Sequence, residues 1–195
     1  MSGVWSTFKK PDKRHYLLAV FTAAAVFMLA KSGFFTTIDN KLKIVISGQK
    51  GRIRKLNAKK NISEKKTILV DILNFKKGNS LIHAHYGQLD YKNNFFMDIR
   101  GSFRVSQPAY YTFHIGSDDG FRLRIDNKTI CRHPGTRPFA WNKGRVYLEK
   151  GLHRLKISYF QGCCLLGLKG KYQKQGENKQ YFIGQDSKYI NFRTY

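Results

Sequence analysis

At 195 residues the chain has room for one domain with a sizeable core and a modest extension, and little room for two. A composition 42% hydrophobic and 14% aromatic excludes a disordered chain, and 15 Phe and 11 Tyr favour strands over helices. The formal net charge of +24, from 36 Lys plus Arg against 12 Asp plus Glu, calls for anionic partners without choosing among nucleic acid, anionic lipid and acidic polysaccharide.

Residues 1–15 form a basic tail with Lys9, Lys10, Lys13 and Arg14. From Tyr16 to Ala30 the chain reads YLLAVFTAAAVFMLA, without a charge. If Lys31 snorkels, the apolar stretch continues through Gly33, Phe34 and Phe35, which brings it to about the 20 residues needed to cross a bilayer. The expected anchor is therefore 16–35, with the N-terminus cytoplasmic under the positive-inside rule and the rest of the chain extracytoplasmic. A cleaved signal peptide is the competing reading, because Ala30-Lys31-Ser32 is a tolerable small-x-small site; the domain would then be secreted.

Residues 36–66 carry ten lysines and arginines from Lys41 to Lys66 against Asp39 and Glu64, and read as a basic stalk. A short apolar alternation at Leu42 to Ser47 is the one strand candidate within it.

From Thr67 onward the pattern is of strands divided by turns, and 67–195 is the expected globular domain. TILVDIL (Thr67 to Leu73) and LIHAHY (Leu81 to Tyr86) flank a turn at Lys76-Lys77-Gly78-Asn79. His83 and His85 stand two apart and share one face of a strand, a spacing metal sites use, but no third ligand accompanies them. FFMDIRGSFRV and YYTFHI follow, then FRLRID, where Phe121, Leu123 and Ile125 point inward and Arg122 and Arg124 outward. Asp126-Asn127-Lys128 predicts a tight hairpin turn. A loop with Pro134, Gly135 and Pro138 precedes RVYLEKGLHRLKISYFQG, LLGLKGKY and QYFIG. Short strands at regular intervals indicate an all-β sandwich or barrel. Cys131, Cys163 and Cys164 are too few for a disulfide framework and lack zinc spacing; in an oxidising compartment Cys131 has either neighbour as a possible partner.

The stretch YYTFHIGSDDGFRLRIDNKTI, then GRVYLEKGLHRLKISYFQG and LLGLKG, resembles the protective-antigen domain family, with the fit running roughly from Asn94 to Lys171. The matching motifs are Ser117-Asp118-Asp119-Gly120, the hairpin at Ile125 to Lys128, Leu148 to His153, and Tyr159-Phe160-Gln161-Gly162. The resemblance implies a β-sandwich and, as in the family's adhesins, carbohydrate binding. It also implies a calcium ion held by adjacent aspartates joined through a cis peptide, which places Asp118 and Asp119 as candidate metal and ligand-binding residues. The alternative for this SDDG turn is that the aspartates cap backbone N–H groups. The sequence departs from the adhesin pattern in its later loop, where Gln161 is the only side-chain oxygen near Cys163 and Cys164.

A second candidate cluster is the loop after Cys131. Sugars stack their C–H faces on rings and bond to planar polar groups, so Trp141, Arg137 and Asn142 join the expected ligand-binding set; filling of the sandwich end by Phe139 and Trp141 is the alternative. Enzymatic activity is not expected: acids are scarce, no nucleophile signature is present, and the paired aspartates are sequence neighbours. The expected partners are a glycan, possible acidic, and the lipid bilayer, with no nucleic acid. An alternative role is a non-catalytic assembly subunit docking its basic surface on an envelope or glycosyl-transfer complex.

Overall fold

The computed structural model of the protein describes residues 13–31 and 39–195. These fall into two units, a helix and a sandwich beginning at Asp39.

Helix α1 spans Lys13–Lys31. Its described apolar side chains stand in the open, with Leu18 and Phe21 each 70% exposed. Among the described residues no helix is long and apolar enough to cross a membrane. The basic tail as far as residue 12, and residues 32–35 of the expected span, lie outside the described residues.

The second unit contains fourteen strands. They are β1 (Leu42–Gln49), β2 (Ile62–Val70), β3 (Asn74–Gly78), β4 (Ile82–His83), β5 (Gly87–Gln88), β6 (Phe95–Val105) and β7 (Ala109–Asp118). The chain continues with β8 (Phe121–Ile125), β9 (Lys128–His133), β10 (Ala140–Leu148), β11 (Gly151–Gln161), β12 (Leu166–Lys174), β13 (Tyr181–Phe182) and β14 (Ile190–Phe192). One antiparallel sheet runs β2-β1-β6-β11-β8-β9, with β14 beside β6; the other runs β10-β7-β12-β3-β4-β5, with β13 beside β12.

Residues 42–66, expected as part of a stalk, instead belong to the sandwich. β1 lies between β2 and β6 in the first sheet, because Leu42, Ile44 and Ile46 are fully buried while Lys43 between them is exposed. The lysine-rich composition concealed this alternation: in a half-buried strand every second residue faces water and is free to be charged.

Period-two patterning decides both faces of the first sheet. Ile44, Ile99, Ile157 and Leu123 stand in lateral register across β1, β6, β11 and β8, and all four are completely buried. Between the sheets, Phe103 of β6 meets Phe113 of β7 at 6.4 Å between ring centroids, and Tyr172 of β12 meets Phe192 of β14 at 5.9 Å. The expected hairpin forms between β8 and β9: Asp126 and Asn127 take φ of 47° and 66°, the left-handed pair of a two-residue turn matched to strand twist.

Phe113 contacts aromatic rings from both sheets, so its truncation leaves a cavity that neither sheet can collapse into. Phe113→Ala is expected to cost about 3–5 kcal/mol, lowering the thermal midpoint by roughly 10 °C for a chain of this length. Tyr147→Ala, on the exposed face of β10, should stay within about 0.5 kcal/mol of the parent. Equal losses in the two variants would contradict this placement of the core.

Candidate functional site

Two connections that carry the chain from one sheet to the other lie at the same end of the sandwich. Asp118, Asp119 and Gly120 lead from β7 into β8, and Gly162 to Leu165 lead from β11 into β12. Asp119 ties them together: its Oδ2 accepts the Gly162 N–H at 2.7 Å, and its Oδ1 accepts the Arg137 N–H at 3.2 Å. The Phe160 N–H donates to the Gly120 carbonyl at 3.0 Å. The approach is too close for side chains. A Cβ on Gly120 would sit 2.4 Å from the Phe160 ring, and one on Gly162 would sit 2.4 Å from the Ile53 carbonyl oxygen.

Below this clamp the Tyr159 hydroxyl lies 2.5 Å from the Asp118 carbonyl and 2.6 Å from Gln161 Oε1. Burial pushes the Tyr159 phenol well above its ordinary range, so it stays protonated and donates. Gln161 spends its amide N–H groups on the Cys163 and Leu165 carbonyls, at 2.7 and 2.9 Å. Expected as a ligand-binding residue, Gln161 is fully buried and braces the loop from within.

A cavity of about 480 Å³ opens here, lined among others by Arg52, Arg54, Asp118, Asp119, Arg137 and Cys163. Asp118 and Asp119 are 6% and 5% exposed. Burial, and then the neighbouring Asp119 charge, push the Asp118 carboxyl above the usual carboxylate range, an effect that the Phe139 N–H partly offsets. Arg137 is held in place by Nη2 donating to Ser117 Oγ and to the Ala140 carbonyl, both at 3.0 Å.

Of the six side chains expected at the site, the cavity gathers Asp118, Asp119 and Arg137. Trp141 and Asn142 do not join them, because consecutive residues of a strand point to opposite faces. Trp141 is in register with Gly116, packs edge-on against Phe139 and remains 47% exposed on the outer face of its sheet. Asn142 is in register with the inward-facing Ile115, and its Oδ1 is buried without a donor. Arg52 and Arg54 were missed, having been assigned to the stalk. Their signal was the lone apolar Ile53 between them, which is 1% exposed and packs with Phe96 and Phe160.

The donor set does not fit calcium. That ion wants six to eight oxygens, whereas Gln161 is fully buried and faces inward, and three arginines line the same cavity. Among the described residues no third acidic, histidine or cysteine ligand completes a set, and no peptide bond is cis. Asp119 caps two backbone N–H groups, as the alternative for the SDDG turn has it. All three cysteines are free, against the pairing considered for Cys131, whose thiol burial pushes up to about 12.

The His83 and His85 spacing is also absorbed by the fold. His83 Nε2 lies 2.8 Å from the Ile72 carbonyl, while its Nδ1 accepts the His85 and Tyr86 N–H groups at 3.2 and 3.4 Å. That pattern requires the neutral ring with its hydrogen on Nε2, leaving no nitrogen for a metal.

The sequence model of the PA14 domain matches residues 83–163, and solved structures place the sandwich in the PA14 fold. The PA14 sugar-binding domain from an RTX adhesin is similar at a TM-score of 0.59 and 14% identity, over 75% of this chain and 96% of that one. The PA14 domain of the antifreeze protein MpAFP is similar at 0.60 and 10% identity, over 76% and 89%. The epithelial adhesin 9 A domain of Candida glabrata, solved with Galβ1-3GlcNAc, is similar at 0.55 and 9% identity, over 75% and 89%. No curated protein sequence matches the chain.

Two stability measurements test this geometry. Asp119→Ala strands two N–H groups and is expected to cost about 2–4 kcal/mol in urea unfolding, with Asp119→Asn losing about half as much because one oxygen acceptor survives. An alanine variant as stable as the parent would refute the clamp. Burial, the largest cause, lowers the His83 pKa below its ordinary value, and His114 and His133 are lowered likewise. The folded state therefore binds fewer protons than the unfolded one. The stability these rings contribute is whole above about pH 6.5 and is lost as pH falls from there towards the lowered folded values. Asp118, raised, acts oppositely nearer pH 4. The thermal midpoint should fall between pH 7 and pH 5, and less steeply in His83→Gln; an unchanged slope in that variant would remove His83 from the account.

Proposed function

We propose that the sandwich is a non-catalytic, extracytoplasmic carbohydrate-binding module, carried on a single N-terminal membrane segment with its tail in the cytoplasm. The observation that carries the glycan reading is the end cavity, where two buried carboxylates and the fixed Arg137 guanidinium are brought together. Vicinal sugar hydroxyls donate to a carboxylate and accept from a guanidinium, and each Asp119 oxygen keeps a lone pair beyond its backbone bond. The volume falls within the range of small-molecule sites. Arg52 and Arg54, both exposed, supply further donors at the same cavity. Sandwiches of this fold described as sugar-binding support the reading. Binding here runs through protein groups directly, without calcium.

Membrane attachment is supported by the sequence run from Tyr16 through Phe35 and by the exposed apolar side chains of α1. Tyr16, Leu17, Leu18, Val20 and Phe21 are each at least 58% exposed, more than a lone helix in water tolerates. Secretion after cleavage is the rival, and protease treatment of sealed vesicles separates the two.

A glycan array probed with the full chain in detergent, once with calcium and once with a chelator, tests the site. Binding is expected to persist under chelation and to weaken about tenfold in Asp118→Asn, the loss of one charge-assisted hydrogen bond. A blank array, or binding indifferent to that substitution, would refute the cavity as the glycan site.

A further inference from the structure

Immediately beside the buried row Ile44, Ile99, Ile157 and Leu123, the outer face of the first sheet carries a row of opposite character. Lys43 of β1 is in register with Arg100 of β6, Arg100 with Lys156 of β11, and Lys156 with Arg124 of β8. Four cations thus stand side by side across four adjacent strands, about 4.8 Å apart from strand to strand. Like charges directly opposite one another destabilise a sheet, and every member of this row contributes to that cost.

No acid within the row relieves it. Among the described residues none of the four takes part in an ion pair. Two residues along β6, Asp98 is paired with Lys60 at 3.6 Å and accepts from Ser158, so the same sheet does place a carboxylate among cations elsewhere. A cavity of about 390 Å³ lies over three of the four, Arg100, Lys156 and Arg124, and is lined also by Arg154, Asp126 and Tyr195. Its single acidic side chain, Asp126, is already committed: Oδ2 lies 2.6 Å from His153 Nδ1 and Oδ1 accepts the Arg154 N–H at 2.8 Å. The Nε of Arg124 is buried with no acceptor. A costly row of cations, a groove above three of them and a buried arginine donor without an acceptor together fit an anion site, since like charges directly opposite one another destabilise a sheet.

We propose that this groove is a second binding site, separate from the end cavity, for an extended acidic polysaccharide bearing sulfate or phosphate esters. Guanidinium forks match the tetrahedral oxyanion and bond it through two N–H groups. The linear spacing of the cations across the sheet suits a chain of repeating charges better than one isolated ion. The choice of a glycan as the polymer rests on the carbohydrate-binding reading above; the anion chemistry does not. The two sites differ in what they recognise: the end cavity reads sugar hydroxyls, and the groove reads ester charge.

The test uses dextran sulfate and unsulfated dextran as probes, with the full chain in a non-ionic detergent at physiological salt. Dextran sulfate is expected to bind and to raise the thermal midpoint, and unsulfated dextran to do neither at this site. Arg100→Thr combined with Lys156→Thr should weaken dextran sulfate at least about tenfold, the loss of charge-assisted contacts. Lys65→Thr with Lys66→Thr, which removes the same charge from β2, should change it by less than about twofold. Without ligand the groove variant should melt no lower than the parent, because it relieves repulsion; should it fail to fold, Arg124→Thr alone serves in its place.

Equal weakening in the two double variants would reduce the effect to the general field of a basic protein and overturn the site. Binding to phosphatidylglycerol vesicles that depends on Arg100 and Lys156, with none to dextran sulfate, would overturn the polysaccharide in favour of a lipid headgroup. Capture of a soluble acidic protein competing at the same residues, again without dextran sulfate binding, would favour docking instead and overturn it too. Dextran sulfate binding alongside a blank array of neutral glycans would leave this site standing and sink only the end-cavity reading.

Discussion

One buried carboxylate holds the end of the sandwich in the shape a ligand would meet. Asp119 accepts an N–H from each of two different loops, and those N–H groups have no strand partner because they lie where the chain leaves one sheet for the other. Removing such a group from water costs about 1–3 kcal/mol unless it is paired. The carboxylate answers two of them at once, and glycine at positions 120 and 162 allows the backbones close enough for it to do so. Arg137 is placed as a consequence, since its N–H is one of the two. The cavity is therefore a by-product of closing the sandwich, and its chemistry is set by groups needed for closure.

The same economy explains why the aspartate pair resembles a metal site without assembling one. Asp118 and Asp119 are adjacent and buried, but their oxygens face N–H donors and the cavity wall is basic. A cation would have to approach three arginines. A neutral polyol would meet no such repulsion, since hydroxyls can both donate to a carboxylate and accept from a guanidinium.

Net charge acts on a different part of the molecule. The arginines at the end cavity flank acids, whereas the outer face of the first sheet aligns cations with none between them. A chain of +24 must place like charges near each other somewhere. It places them on a face where each strand contributes one, above a core row that is wholly apolar, so the electrostatic cost is carried by some of the best-packed strands.

Local chemistry written in the chain determined a great deal. Alternation in FRLRID assigned Leu123 inward and Arg124 outward, the hairpin at Asp126 and Asn127 followed from residues that tolerate left-handed backbone, and the SDDG turn marked the strand end where the cavity forms. These features depend on neighbours one to four residues apart, which a sequence displays directly. What tertiary structure alone decided is which strands lie side by side. That decision moved Leu42 to Gln49 from a stalk into the sheet, brought Arg52 and Arg54 to the cavity, sent Trp141 and Asn142 to opposite faces, and aligned Lys43, Arg100, Lys156 and Arg124. Lateral register is fixed by packing between segments tens of residues apart, and no local pattern in any one of them records its partner.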